Sequence, residues 1–162
     1  MKTIIKQKIT PFLWFDGKAE EAANYYMSIF KNSRMVDVLR YGEAGPGPKG
    51  TVLTVTFEVE GQEFIALNGG PMFSFTPAIS LFVKCETQPE VDELWEKLSA
   101  GGEKQQCAWV RDKFGVSWQI VPTILLELLQ DQDPAKSKRV MQAMLQMHKI
   151  DIATLQRAYD NK

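Results

Sequence analysis

The segment RDKFGVSWQIVP, residues 111–122, holds a tight turn followed by a strand. Asp112 supplies a side chain that bonds nearby backbone and Gly115 tolerates positive φ, so the two bracket a turn. From Val116 onward the side chains alternate: Val116, Trp118 and Ile120 share one face, and Ser117, Gln119 and Val121 share the other. One face is apolar and the other is mixed. The pattern predicts a sheet enclosed at least in part on both faces, with the mixed face lining a cavity. Gln119 is then an amide whose purpose has to be found.

Upstream, ITPFLWFDGKAEEAANYYMSIF opens with an aromatic-rich extended run from Ile9 to Phe15 and breaks at Asp16-Gly17. A helix follows, because Ala19, Ala22, Ala23, Tyr26, Ile29 and Phe30 recur at three- and four-residue spacing, with Lys18, Glu20, Glu21 and Asn24 on the wet side. Met35 to Tyr41 reads as a strand, and the loop GEAGPGPKG separates it from the alternating run TVLTVTFEVEG. Glu60-Gly61 is a hairpin signal leading into Glu63 to Asn68. The first half is β-α-β-β-β.

After NGGPMFSFTP the order starts again. Ala78 to Cys85 is extended, and PEVDELWEKLSAGG begins with Pro89, carries Val91, Leu94, Trp95 and Leu98 on one stripe, and stops at paired glycines. Residues 105–110 and 116–121 supply two more strands, giving β-α-β-β with a third strand missing or short. The two halves suggest a duplicated unit although their residues repeat poorly. The tail differs: TILLELLQ forms a short helix after Pro122, and Asp133-Pro134 starts a further helical stretch with a break near Asp151. There Met141, Met144, Leu145 and His148 share a stripe, a pattern that packs on the sheet or on a partner subunit.

Composition bounds the function. The chain has 162 residues, 44% apolar and 24% charged, as in a soluble globular protein. Nineteen basic residues against 20 acidic ones give no phosphate-tracking surface, so nucleic acid is not an expected partner. MKTIIKQKIT lacks a sustained apolar region and a small-residue cleavage site, which predicts neither secretion nor a membrane span. Cys85 and Cys107 form no CxxC pair, in keeping with a reducing cytoplasm. His148 is the single histidine, which excludes a three-histidine metal site and a Cys/His relay.

Four segments together, ITPFLWFDGKAEEAANYYMSIF, NGGPMFSFTPAISLFV, CAWVRDKFGVSWQIVP and VMQAMLQMHKIDIATLQRAY, resemble the PhnB-like branch of the vicinal-oxygen-chelate superfamily, also labelled 3-demethylubiquinone 3-methyltransferase-like. The resemblance implies an α+β fold over residues 1–162. Paired βαβββ modules, about 9–70 and 77–122, would form a curved mixed-sheet cup, with a helical tail over 123–162, in a homodimer. The superfamily's enzymes commonly hold a divalent metal in the cup with His, Glu or Gln. By that resemblance Gln119 stands where a metal-binding glutamate would, Ile9 where a histidine would, and Ile79 or Ser80 where the second module offers a ligand. Asn68 lies near the end of the strand that would give another. Such weak, uncharged oxygen donors do not offset the dehydration of a divalent ion, so no metal and no other cofactor is expected.

The methyltransferase label finds no support in the residues. GEAGPGPKG is the one glycine-rich candidate for a cofactor turn, but Pro46 and Pro48 remove donors from it and a strand follows in place of a helix N-terminus. It reads as a long hairpin loop lying over the cup's mouth. Asn68, Ser80 and Gln119 are the expected ligand-binding amides and hydroxyl, with Phe73, Phe75 and Trp14 packing the ligand's apolar body. The favoured function is thus metal-free binding of a small, partly apolar or aromatic molecule. Two alternatives stand beside it: a lyase, isomerase or transferase using Cys107 as a nucleophile near Arg111 and Lys113, and an inert dimeric module filled by its own aromatics.

Overall fold

The computed structural model describes residues 7–162, so most of the stretch inspected for a leader, MKTIIK, lies outside the described residues. The chain forms two compact units that meet in sequence between Ser74 and Phe75.

The first unit contains β1 (Phe12–Phe15), α1 (Ala19–Ile29), β2 (Ser33–Arg40), β3 (Val52–Val59) and β4 (Gln62–Asn68). Its sheet runs β1-β4-β3-β2, with β1 parallel to β4 and the remaining pairs antiparallel. Helix α1 buries Ala19, Ala22, Ala23, Tyr26 and Ile29. Three small side chains let it sit close to the sheet, where the Tyr26 ring stacks on Phe57 and Phe57 on Phe64. The β3–β4 hairpin turns through Glu60 and Gly61, both at positive φ, the two-residue geometry that matches the twist of the flanking strands. The GEAGPGPKG loop is anchored at its base, since Tyr41 N–H donates to Thr51 O and Gly50 N–H to Tyr41 O, each at 2.9 Å. It folds against the Tyr41 ring, where a Cβ on Gly45 or Gly47 would fall onto the ring carbons.

The second unit repeats the plan with β5 (Leu81–Cys85), α2 (Gln88–Ser99), β6 (Glu103–Lys104), β7 (Trp109–Arg111) and β8 (Ser117–Pro122). Its order, β5-β8-β7-β6 with β5 parallel to β8, matches that of the first sheet position for position. The two units thus share one topology, and the short third strand is the two-residue β6. Thr87 caps α2 by accepting the Glu90 N–H, and Val91, Leu94, Trp95 and Leu98 form its buried face as the sequence predicted. Of the paired glycines, Gly101 takes a positive φ, while Gly102 lies against the Arg111–Asp112 backbone, where a Cβ would sit 2.1 Å from Arg111 O.

Three strand expectations are corrected: β1 starts at Phe12 instead of Ile9, β5 starts at Leu81 because Ala78 and Ile79 lie in a turn, and the run before β7 is not a strand. Residues 105–108 are not extended: they make a turn in which Cys107 (φ 55) and Ala108 (φ 72) are left-handed, so Cys107 is not on a strand. The cause is the tail, which consists of α3 (Thr123–Leu129), α4 (Pro134–Met144) and α5 (Ile152–Asp160). Cys107 N–H donates to Met147 O and Ala108 N–H to His148 O, both at 2.9 Å, so the turn is held by the segment joining α4 to α5. The stripe expected on one helix is split accordingly. Met144 packs into a core of Ala108, Val121, Leu125, Leu128, Val140, Ile150 and Leu155, whereas Met141, Leu145 and His148 are exposed.

Candidate functional site

Within the second unit, α2 covers one face of the sheet and leaves the other with a mixed set of side chains. Across that second face Phe82 of β5, Gln119 of β8 and Trp109 of β7 share one register position, so the amide is flanked by two aromatic residues. Phe82 is 44% exposed, a large apolar ring open to solvent. Ser80, one residue before β5, accepts a hydrogen bond from Gln119 Nε2 at 2.9 Å. Further along the face Val121 is covered by the tail's apolar core. The structure thus brings together two of the expected polar residues, Ser80 and Gln119, on a surface bounded by aromatic rings. Phe75 is half-buried in the same unit and packs over the turn at Gly115.

The turn before β8 has a definite builder. Asp112, 2% exposed, accepts hydrogen bonds from Phe114 N–H (2.9 Å) and Val116 N–H (3.0 Å) on Oδ1, and from the Trp118 indole N–H (2.8 Å) on Oδ2. The Asp112 and Gly115 pattern was legible, but the reach to Trp118 was not. That bond holds the indole in place on one face of β8, while the alternation of the strand puts Gln119 on the other.

In the first unit Asn68 acts within its own module. Its Oδ1 accepts the Ala19 N–H at 2.9 Å and its Nδ2 donates to Val52 O at 3.1 Å. Lys18, at the N-cap of α1, makes no side-chain capping bond, its Nζ donating to Glu21 at 2.8 Å instead, so Asn68 does the capping from the end of β4. Trp14 meets Phe73 edge to face with ring centroids 4.9 Å apart, and its indole donates to Gly70 O at 2.8 Å. A Cβ on Gly69 would fall on the indole, which explains why glycine follows Asn68.

The donor set does not fit a divalent cation. Ile9 is 86% exposed and has no ligating atom, Asn68 has both ends of its amide engaged, and Ser80 and Gln119 are neutral and bonded to each other. Among the described residues no three His, Cys, Asp or Glu side chains converge as a metal centre requires. Neither thiol is paired. Cys85 is buried, and burial first, then Glu90 and Glu86, pushes its pKa up to about 12, so it stays a thiol at neutral pH. Cys107 is half-buried in the tail-bound turn, its Sγ 3.8 Å from Met144 O. No helix among the described residues is long and apolar enough to cross a membrane.

Two βαβββ modules, each with its first strand parallel to its last, define a vicinal-oxygen-chelate fold. The family model for 3-demethylubiquinone-9 3-methyltransferase matches residues 7–121, and the chain belongs to that family, the PhnB-like branch of the superfamily. A PhnB protein from Bacillus cereus is 45% identical, over 72% of this chain and 100% of its own, with a TM-score of 0.63. A Pseudomonas aeruginosa protein at 21% identity, over 72% of this chain and 98% of its own, shares the fold with a TM-score of 0.59. No functionally curated protein matches the chain. The family match stops at Val121, so the tail lies outside it.

Proposed function

We propose that this protein binds a small, partly apolar or aromatic molecule without a resident metal, on the open face of its second sheet. The observation that carries the reading is the row Phe82, Gln119, Trp109 with Ser80 beside it: an apolar floor holding two placed polar groups, the usual composition of a small-molecule site. Lack of a charged donor at Ser80, Gln119 and Asn68 supports the metal-free part. Phe75, in the same unit, is further aromatic surface for an apolar ligand body. The family's label does not carry methyl transfer to this chain, because its one glycine-rich loop closes a hairpin around Tyr41. Elemental analysis of the purified protein should find far less than one Zn, Ni, Mn or Fe per chain. Toluene, added as a bare aromatic probe, should shift the backbone amide resonances of Phe82 and Trp109. A stoichiometric metal lost on Gln119→Ala, or no response of this face to toluene, would each overturn the corresponding half of the reading.

We also propose a cytoplasmic homodimer. Support comes from exposed apolar side chains four residues apart at the end of α4, Met141 (40%) and Leu145 (49%), and from the strand β2 at the edge of its sheet, where Met35, Val36 and Leu39 are exposed. Light scattering should give a dimer at micromolar concentration, and Leu145→Asp should shift it toward monomer by placing a charge in apolar surroundings. A wild-type monomer whose melting temperature does not change with protein concentration would end the proposal.

A further inference from the structure

We infer that the Ser80–Gln119 pair selects ligands whose polar group is neutral and both donates and accepts a hydrogen bond, such as a carboxamide or a phenol, against carboxylates and ammonium groups; this rests on the reading of the open face as the binding surface. Gln119 Nε2 donates to Ser80 Oγ at 2.9 Å, and within the described residues neither side chain has another partner. The amide oxygen is therefore an unused acceptor and the serine hydroxyl hydrogen an unused donor. Among the described residues no half-buried or buried side-chain polar atom lacks both a partner and solvent, so the Gln119 oxygen reaches solvent. If the amide is rotated end for end, the serine donates to the amide oxygen, and the pair then shows a free amide N–H and a free hydroxyl lone pair. Either way the surface offers at least one donor and at least one acceptor side by side.

A carboxylate has only acceptors and would set a lone pair against whichever oxygen the pair exposes. An ammonium has only donors and would leave the pair's donor unanswered. A carboxamide or a phenol satisfies both, with its ring against Phe82 and Trp109. The cations Arg111 and Lys84 lie on the same sheet. Arg111 is held by Glu103 at 2.7 Å, and Lys84 is exposed, two residues beyond Phe82 and in register with Val121.

The test is a titration of the full ¹⁵N-labelled chain with toluene, benzamide, phenol, benzoate and benzylammonium, which share a ring and differ in the polar group. Benzamide and phenol should shift the Gln119 side-chain amide resonance and bind about tenfold more tightly than benzoate or benzylammonium, the size expected for one matched hydrogen bond against a mismatched one. Gln119→Leu and Ser80→Ala should bring benzamide down to the affinity of toluene and leave toluene unchanged. Gln119→Glu, which keeps the shape and adds a carboxylate, should turn the preference toward benzylammonium. Benzoate binding as well as benzamide, or a benzamide preference that survives Gln119→Leu, overturns the selectivity while the aromatic surface stands. Failure of all five probes, toluene included, overturns the surface itself and the selectivity with it.

Discussion

Asp112→Ala is expected to destabilise the second unit by about 4 kcal/mol, because three N–H donors lose a carboxylate at once and each unsatisfied buried donor costs roughly 1–3 kcal/mol. The donors are Phe114 N–H, Val116 N–H and the Trp118 indole, and Val116 and Trp118 are themselves buried. Asp112→Asn separates the contributions. Its oxygen can keep the two backbone bonds, but its NH₂ then faces the indole N–H, donor against donor, so about 2 kcal/mol should be lost. In Asp112→Asn, Trp118→Phe removes the clashing donor and should cost less than it does in the wild type. Urea unfolding followed by tryptophan fluorescence reads the wild type and all four variants. Additive costs in this cycle would show that the indole bond contributes nothing, and a cost below about 1 kcal/mol for Asp112→Ala would remove Asp112 as the builder of the turn.

The extent to which the sequence foretold this site follows from the range of the interactions. Asp112 and Gly115 were legible as turn residues because their preferences are local, and the stripes of α1 and α2 were legible because burial on one face of a helix imposes a period. Alternation along β8 correctly separated Gln119 from Trp118 and Ile120. What escaped was set by distant chain. Asn68 sits near the expected strand end, but no sequence pattern says that an amide will cap a helix 49 residues earlier. Nothing in QQCAWV signals a left-handed turn either, since Cys107 and Ala108 are unusual at positive φ and are held there by carbonyls of Met147 and His148. Gln88, hidden in the first turn of α2, is a second such case. Its Nε2 donates to Ile150 O at 3.0 Å and its Oε1 accepts the Ile152 N–H at 2.8 Å, which ties the tail to α2.

These ties decide what the tail is. A tail outside the family match can be an appendage or a part of the second unit's core, and the two differ in what happens when it is damaged. Leu155 of α5 is fully buried in one cluster with Ala108 and Val121, which belong to the turn before β7 and to β8. Leu155→Asp puts a carboxylate into that cluster, and the cost should exceed about 3 kcal/mol because a buried charge has no compensating partner there. If the tail is core, the loss spreads: the Cys107 and Ala108 amides should exchange hydrogen far faster, the second unit should melt at lower temperature, and buried amides of β3, in the first unit, should keep their protection. The exposed bridge between Lys149 and Asp92 (2.8 Å) serves as the control, since Lys149→Ala should change stability by less than about 1 kcal/mol. If only residues of the tail lose protection in Leu155→Asp while Ala108 keeps its own, the tail is an appendage. The geometry argues for core, because the left-handed turn at Cys107 and Ala108 costs free energy and both of its N–H groups are bonded to carbonyls of the tail.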